Sequence, residues 1–223
     1  MIGHSLERFS TGCAQIVASP EFSAVQALQI LDTLSLSLAG ITGSQTDRMT
    51  RDDGWRLLAI GRHVERLGFL AECLQSALST GAFDDTNHDD AGGGSHFAAL
   101  LALFDSAITF RAQHQQSREL EPLVALLVQD DENPRALAWV ARALRGRLAK
   151  LARTPLGEPD PIGRAVPDPG QWPLHLLCSR TAEGRLSSLA ECLESCRRAA
   201  WQVSDAVSAR YFQHIERAGT VGV

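Results

Sequence analysis

Apolar residues recur at helical spacing through nearly the whole chain, and no stretch alternates apolar and polar residues long enough to make a strand. That periodicity restricts a chain of 223 residues to all-helical architectures, in which each helix hides one stripe against its neighbours. The length suffices for a hydrophobic core without disulfide or metal staples. The expectation is a single all-α domain over residues 1–223, an antiparallel helical bundle of about six helices.

The expected helices follow from the same spacing. A short one fits about Ser5 to Val17, ahead of Pro20. The next runs from Glu21 to Ala39, with Val25, Leu28, Leu31 and Leu38 as its apolar stripe and Gly40 as its stop. The clearest starts at Arg51 or Asp52 and reaches Leu78, with Asp52 and Asp53 at the positive end of its dipole. Its apolar face is Leu57, Ile60, Val64, Leu67, Ala71, Leu74 and Leu78, and beside it Trp55, Leu58, Arg62, Glu65 and Phe69 form a second stripe with two charges. Gly61 and Gly68 lie inside this helix, where glycine costs stability, so a close helix neighbour is expected to compensate.

Composition places a loop at residues 80–95, rich in Asp and Gly. A helix then restarts at Phe97 and runs to about Ser117; a shorter one near Pro122 ends around Gln129. Asp130, Asp131 or Asn133 is expected to cap a helix with Pro134 in its first turn, running to about Arg153. Six prolines between Thr154 and Pro173 exclude a helix and leave an ordered crossover or a flexible loop. The last helix spans about Thr181 to Arg217, with Leu186, Leu189, Leu193, Cys196, Ala200, Val203 and Val207 at core spacing.

Charge and cysteine usage exclude several functions. A formal net charge of −5 argues against a nucleic-acid binder, which needs clustered positive charge. No unbroken run of 18 apolar residues and no charged start followed by an apolar segment are present, so neither a membrane span nor a secretory signal is expected. Five scattered cysteines without a CxxC pair fit a reduced, cytoplasmic protein. Of the 21 basic residues only Lys150 is a lysine, and arginine is the residue suited to fixed, bidentate pairing with carboxylates and phosphates.

Where the arginines fall decides their meaning. Arg62, Glu65 and Arg66 sit at helical spacings that let them address one side of a helix. Asp105, one turn before Thr109 and near Arg111, is placed to accept from an arginine of the 51–78 helix. Arg135 falls in the first turn of the next helix, where a cation opposes the dipole and implies an acidic or anionic partner. The six residues Arg62, Glu65, Arg66, Asp105, Arg111 and Arg135 read either as a buried ion-pair network that fixes helix register or as a cleft for a carboxylate or phosphate. Arg142, Arg145, Arg147 and Arg153 are assigned to solvated helix faces. No metal site is expected: His88 among Asp84, Asp85, Asp89 and Asp90 lacks EF-hand spacing, and Cys192 and Cys196 read as small core residues. Gly92 to Ser95 lacks the ending of a phosphate loop, and no nucleophile–base motif is present, so no cofactor is assigned.

Three segments in order, GWRLLAIGRHVERL, LLALFDSAITFRAQ and DENPRALAW, resemble the C-terminal half of the bacterial alpha-E domain, over about Leu34 to Leu151 with a helical continuation to Tyr211. The resemblance implies an all-helical domain of unestablished activity, commonly encoded beside or fused behind a circularly permuted ATP-grasp ligase. It implies an accessory module of an amide- or peptide-ligase system, non-catalytic by itself, with ATP and Mg²⁺ belonging to the ligase. The alternatives are an enzyme of peptide modification using the Arg/Glu/Asp cleft, and a homo-oligomeric structural protein. The family's N-terminal half, with its own Glu-Arg motif, is expected to be missing before Leu34, leaving an apolar face for that half, the ligase or a second copy. Phe110 and His114 stand where the family tends to have tyrosines, and Ala136 where serine is common.

Overall fold

The computed structural model describes Thr11 and residues 23–81, 83, 93–115, 119–153 and 160–212. Among them are eight α-helices and no strand, so the all-α expectation holds. The chain divides into two compact units, Met1–Trp55 and Arg56–Val223. The short helix expected over Ser5 to Val17 and most of the loop at 80–95 lie outside the described residues.

In the first unit, α1 (Ala24–Arg48) opens on a capping box: Gln26 N donates to Ser23 Oγ, and Ser23 N donates to Gln26 Oε1. The helix runs nine residues past the expected end at Ala39. A glycine stops a helix when it adopts a left-handed conformation, and Gly40 stays helical with a negative φ. The expected stripe is solvent-facing: Val25, Leu28, Leu31 and Leu38 are all exposed, and only Leu34 is buried. By length and composition α1 can cross a membrane, with a mean hydropathy of 1.4 over its most apolar window. The search for unbroken apolar runs missed it because scattered Ser, Thr and Gln lower hydropathy only modestly. Beyond α1, Arg51 lies over the Trp55 ring at 4.2 Å and donates to Thr46 O, while Asp52 Oδ1 accepts from Trp55 N.

The second unit is organised by α2 (Asp53–Ser79), which bears the face expected of it. Ile60, Leu67, Ala71 and Leu74 are buried; Leu57, Val64 and Leu78 are partly so. The helices α3 (Gly93–Leu103) and α4 (Ala107–His114) replace the single helix expected from Phe97 to Ser117. Between them Asp105 adopts a left-handed φ of 45°, which aspartate tolerates better than most residues. Phe104 and Phe110 are both almost fully buried. Six residues apart, they would point about 120° from each other on a straight helix, so the break allows both rings into one core. A short α5 (Leu120–Val124) leads into a π-helical turn, Ala125–Gln129.

The helix α6 (Leu137–Ala152) starts three residues later than expected, and its N-cap, Ala136, carries no side-chain cap. Asp130 instead folds the preceding turn, accepting from Glu132 N and Asn133 N. Pro134 and Arg135 therefore lie in the turn, not in the helix. Residues 160–173 are an ordered crossover with two 3-10 turns, Gly163–Ala165 and Pro169–Gln171. Arg145 pairs with Asp168 at 2.9 Å, and Gln129 Nε2 donates to Trp172 O. A four-residue α7 (Leu174–Leu177) precedes α8 (Ser187–Tyr211). The seven residues expected in the core of the last helix are all buried.

Two contacts set how α2 meets α8. A Cβ built on Gly68 would lie 3.5 Å from Ala200 Cβ, and Gln75 Nε2 donates to Glu194 Oε2 at 3.1 Å. Numbers rise along one helix as they fall along the other, so this pair is antiparallel. Gly68 thus has the close neighbour its cost requires, whereas nothing lies within 4 Å of a Cβ on Gly61. Gly61→Ala is expected to raise thermal stability by about 0.5–1 kcal/mol, while Gly68→Leu should lose about 1–3 kcal/mol by overpacking the seam. Melting followed by circular dichroism checks both signs.

Candidate functional site

The turn between the π-helical segment and α6 determines where Arg135 goes. Within the π turn Leu126 is buried, and Asn133 Nδ2 donates to its carbonyl at 3.1 Å. The same side chain accepts from Arg135 N through Oδ1. Asn133 is itself buried, so one amide satisfies a core carbonyl and presents the next arginine. Arg135 then reaches Asp105 Oδ2 at 2.5 Å, with the carboxylate side chain 81% exposed. Asp105 therefore pairs with the turn arginine and not, as expected, with one on α2. So exposed an ion pair is worth about 0–1 kcal/mol.

On α2, one turn of backbone holds Arg62, His63, Glu65 and Arg66. His63 is half-buried, stacked on Trp139 of α6 with ring centroids 5.9 Å apart. Its Nδ1 lies 2.7 Å from Ala59 O. A carbonyl only accepts, so the proton sits on Nδ1 and Nε2 is left as acceptor. Arg147 Nε, from α6, approaches both ring nitrogens at 3.3 and 3.4 Å. Burial pushes the His63 pKa below its ordinary value, and the charges of Arg147, Arg66 and Arg62 push it further in the same direction. Arg66 is held below the usual arginine range by partial loss of water and then by Arg135. Arg147 is lowered by burial.

Arg62, Arg66 and Arg147 thus lie within electrostatic reach of His63, and Arg66 connects them to Arg135, whose carboxylate partner is Asp105. Glu65 is exposed and, among the described residues, makes no hydrogen bond or ion pair. Adjacent residues on a helix point about 100° apart, so Glu65 and Arg66 diverge. Arg111 is exposed. Of the six residues singled out from sequence, Asp105 and Arg135 are in contact, Arg66 is within electrostatic reach of Arg135, and Arg62 is within reach of His63.

His63, Trp139 and Arg147 were missed, and Arg147 had been assigned to a solvated face. The spacing from Trp139 to Arg147, two turns plus one residue, was the available signal. Arg145 is also partly buried and engaged with Asp168, so it does not simply line a solvated face, whereas Arg142 is exposed as expected and pairs with exposed Asp131. Among the described residues no three His, Cys, Asp or Glu side chains gather as metal ligands. Three thiols are poor nucleophiles: burial pushes Cys178 up to about 11 and raises Cys73, while the hydrogen bond with Cys192, then burial, raises Cys196. What remains chemically is a positive surface suited to holding a carboxylate or phosphate.

The fold and these arginines define an all-helical domain with an arginine-rich face on its longest helix, which also carries the dipeptide Glu65-Arg66. The sequence profile of Alpha-E, described as a predicted alpha-helical domain with a conserved ER motif, matches residues 4–212, and the chain belongs to that family. The match covers nearly the whole chain, which corrects the expectation of a C-terminal half alone. It takes in a second Glu-Arg dipeptide, Glu7-Arg8, overlooked because no glycine-arginine pair precedes it. The chain is also 31% identical over 133 residues to an uncharacterised protein of Mycobacterium bovis and to uncharacterised proteins of two Mycobacterium tuberculosis strains. Each match covers 59% of this chain but 14% of the relative's length. No solved structure matches the chain.

Two measurements probe this site. A histidine with a depressed pKa contributes stability that is fully present above its unfolded pKa of about 6.5 and is lost as pH falls. The melting temperature should therefore drop on acidification from neutral pH, and His63→Gln should flatten that dependence. Asn133→Ala should cost about 1–3 kcal/mol by leaving the Leu126 carbonyl unpaired, and urea unfolding would register it.

Proposed function

We propose that this Alpha-E chain is an accessory, non-catalytic helical module of an ATP-grasp amide- or peptide-ligase system. Its arginine cluster would hold a carboxylate or phosphate presented by the ligase or by the ligase's intermediate. The observation that carries the reading is the placement of Arg135, on Asp105, close enough to Arg66 to disfavour the Arg66 charge. Like charges brought together are relieved by an anion that bridges them. The low-reactivity thiols support a binding role over a covalent one. The much longer relatives, in which the matched stretch is a small part, fit a module that works beside other domains. The ligase would supply the ATP and Mg²⁺ chemistry, and the cytoplasm would supply both.

The test is reconstitution. The chain should copurify with the ligase encoded beside it and alter its turnover. Arg66→Ala and Arg135→Ala should each weaken that association about tenfold, near 1.4 kcal/mol, with the melting curve preserved. Unchanged product formation when the chain is omitted would overturn the proposal. If both variants instead abolish product while the complex still forms, the cluster belongs to an enzyme acting on the intermediate. The exposed stripe of Val25, Leu28 and Leu31 on α1 supports a second reading, self-association, for which light scattering of the whole chain should report more than one copy.

A further inference from the structure

Along the α2–α8 seam, on the far side of Gly68 from the arginine cluster, lies an open cavity of about 870 Å³, within the range of small-molecule sites. It belongs wholly to the second unit, and the function proposed above does not use it. Its walls are the last two turns of α2, the first two turns of α8 and the loop that leads into α8. Phe83, Leu78 and Leu186 supply its apolar surface.

Each end of the cavity carries one charged side chain without a hydrogen bond or ion pair among the described residues, an acid at one end and an arginine at the other. At one end stand Glu72, Glu194 and Arg197, with Arg198 Nε 3.9 Å from the Glu194 carboxylate. Arg197 grips Glu194 through two hydrogen bonds of 2.9 Å, and Gln75 donates to the same carboxylate. Those bonds hold the Glu194 carboxyl below the usual range. Glu72 has no hydrogen bond or ion pair among the described residues. At the other end the described charged residues are Arg180, Glu183 and Arg185. Arg180 is fixed by donation to Phe83 O and Gly184 O, at 3.0 and 2.8 Å. The Arg185 side chain has no hydrogen bond or ion pair among the described residues. Each end thus combines an anchored charge with one whose bonding capacity is unused.

Separation sets the size of what fits. Seven residues divide Glu72 from Ser79 on one wall and Ser187 from Glu194 on the other, about 10 Å along either helix axis. An extended peptide advances about 3.3–3.6 Å per residue, so three residues bridge the two ends. We propose that this cavity binds a short zwitterionic peptide of about three residues, its carboxylate at Arg185 and its ammonium at Glu72.

The probe is trialanine with free termini, titrated calorimetrically into the full chain at neutral pH. Saturable binding with a Kd of about 1 mM or tighter is expected. N-acetylation or C-terminal amidation of the probe should each weaken binding by about tenfold or more. Arg185→Ala should erase the preference for the free carboxylate, and Glu72→Gln the preference for the free amine. Both residues are exposed, so melting curves should match that of the parent chain. No saturable binding of trialanine, or equal binding of the doubly blocked peptide, would overturn the inference. Because the titration contains no ligase, its failure leaves the ligase partnership standing, and failure of the partnership leaves the cavity standing.

Discussion

The antiparallel seam between α2 and α8 is the constraint on which the second unit depends. Gly68 lets Ala200 approach to ordinary van der Waals distance, and Leu67, Leu74, Leu193 and Cys196 are withdrawn from water around it. A larger residue at either position would separate the helices and thin the contact on both sides, because close-packed interiors transmit strain. Other elements of the unit are tied to this pair and to one another. The helix α6 comes against α2 through the stacking of His63 on Trp139, and the crossover at 160–173 is tied to α6 by Arg145.

The arginine cluster follows from that arrangement by competing demands on polar groups. Arg147 is drawn over the His63 ring because His63 has committed its proton to the Ala59 carbonyl and stays neutral. Arg135 is presented because Asn133 must serve the carbonyl of a buried residue within a π-helical turn. Backbone bookkeeping sets where Arg135 goes, and partial loss of water, then Arg135, lowers the Arg66 pKa.

Long periodic helices were legible in the sequence, and the reasons for the misses are local. The stripe from Leu186 to Val207 is buried as its spacing requires, since helical period over several turns has few alternative solutions. The break at Asp105 was not legible: aspartate in a left-handed conformation leaves no signature, and the gain that selects it, entry of both Phe104 and Phe110, is tertiary. The start of α6 was misplaced because Pro134 is as much at home in a turn as in a first helical turn. In the site, adjacency in sequence misled. Glu65 was grouped with Arg62 and Arg66, yet the structure leaves it exposed, while Arg147, far along the chain, completes the cluster.

The length of α2 has a mechanical consequence. The helix carries the arginine cluster near Arg66 and the cavity wall at Gln75 on one continuous rod, about 14 Å apart along its axis. A straight helix without a proline barely bends over two and a half turns. The two surfaces are therefore held at a fixed spacing, too wide for one small ligand to touch both and too rigid for one to close on the other. Whatever engages the first would sense the second only by tilting or sliding the entire helix against α8, and Gly68 is the point about which that displacement would pivot.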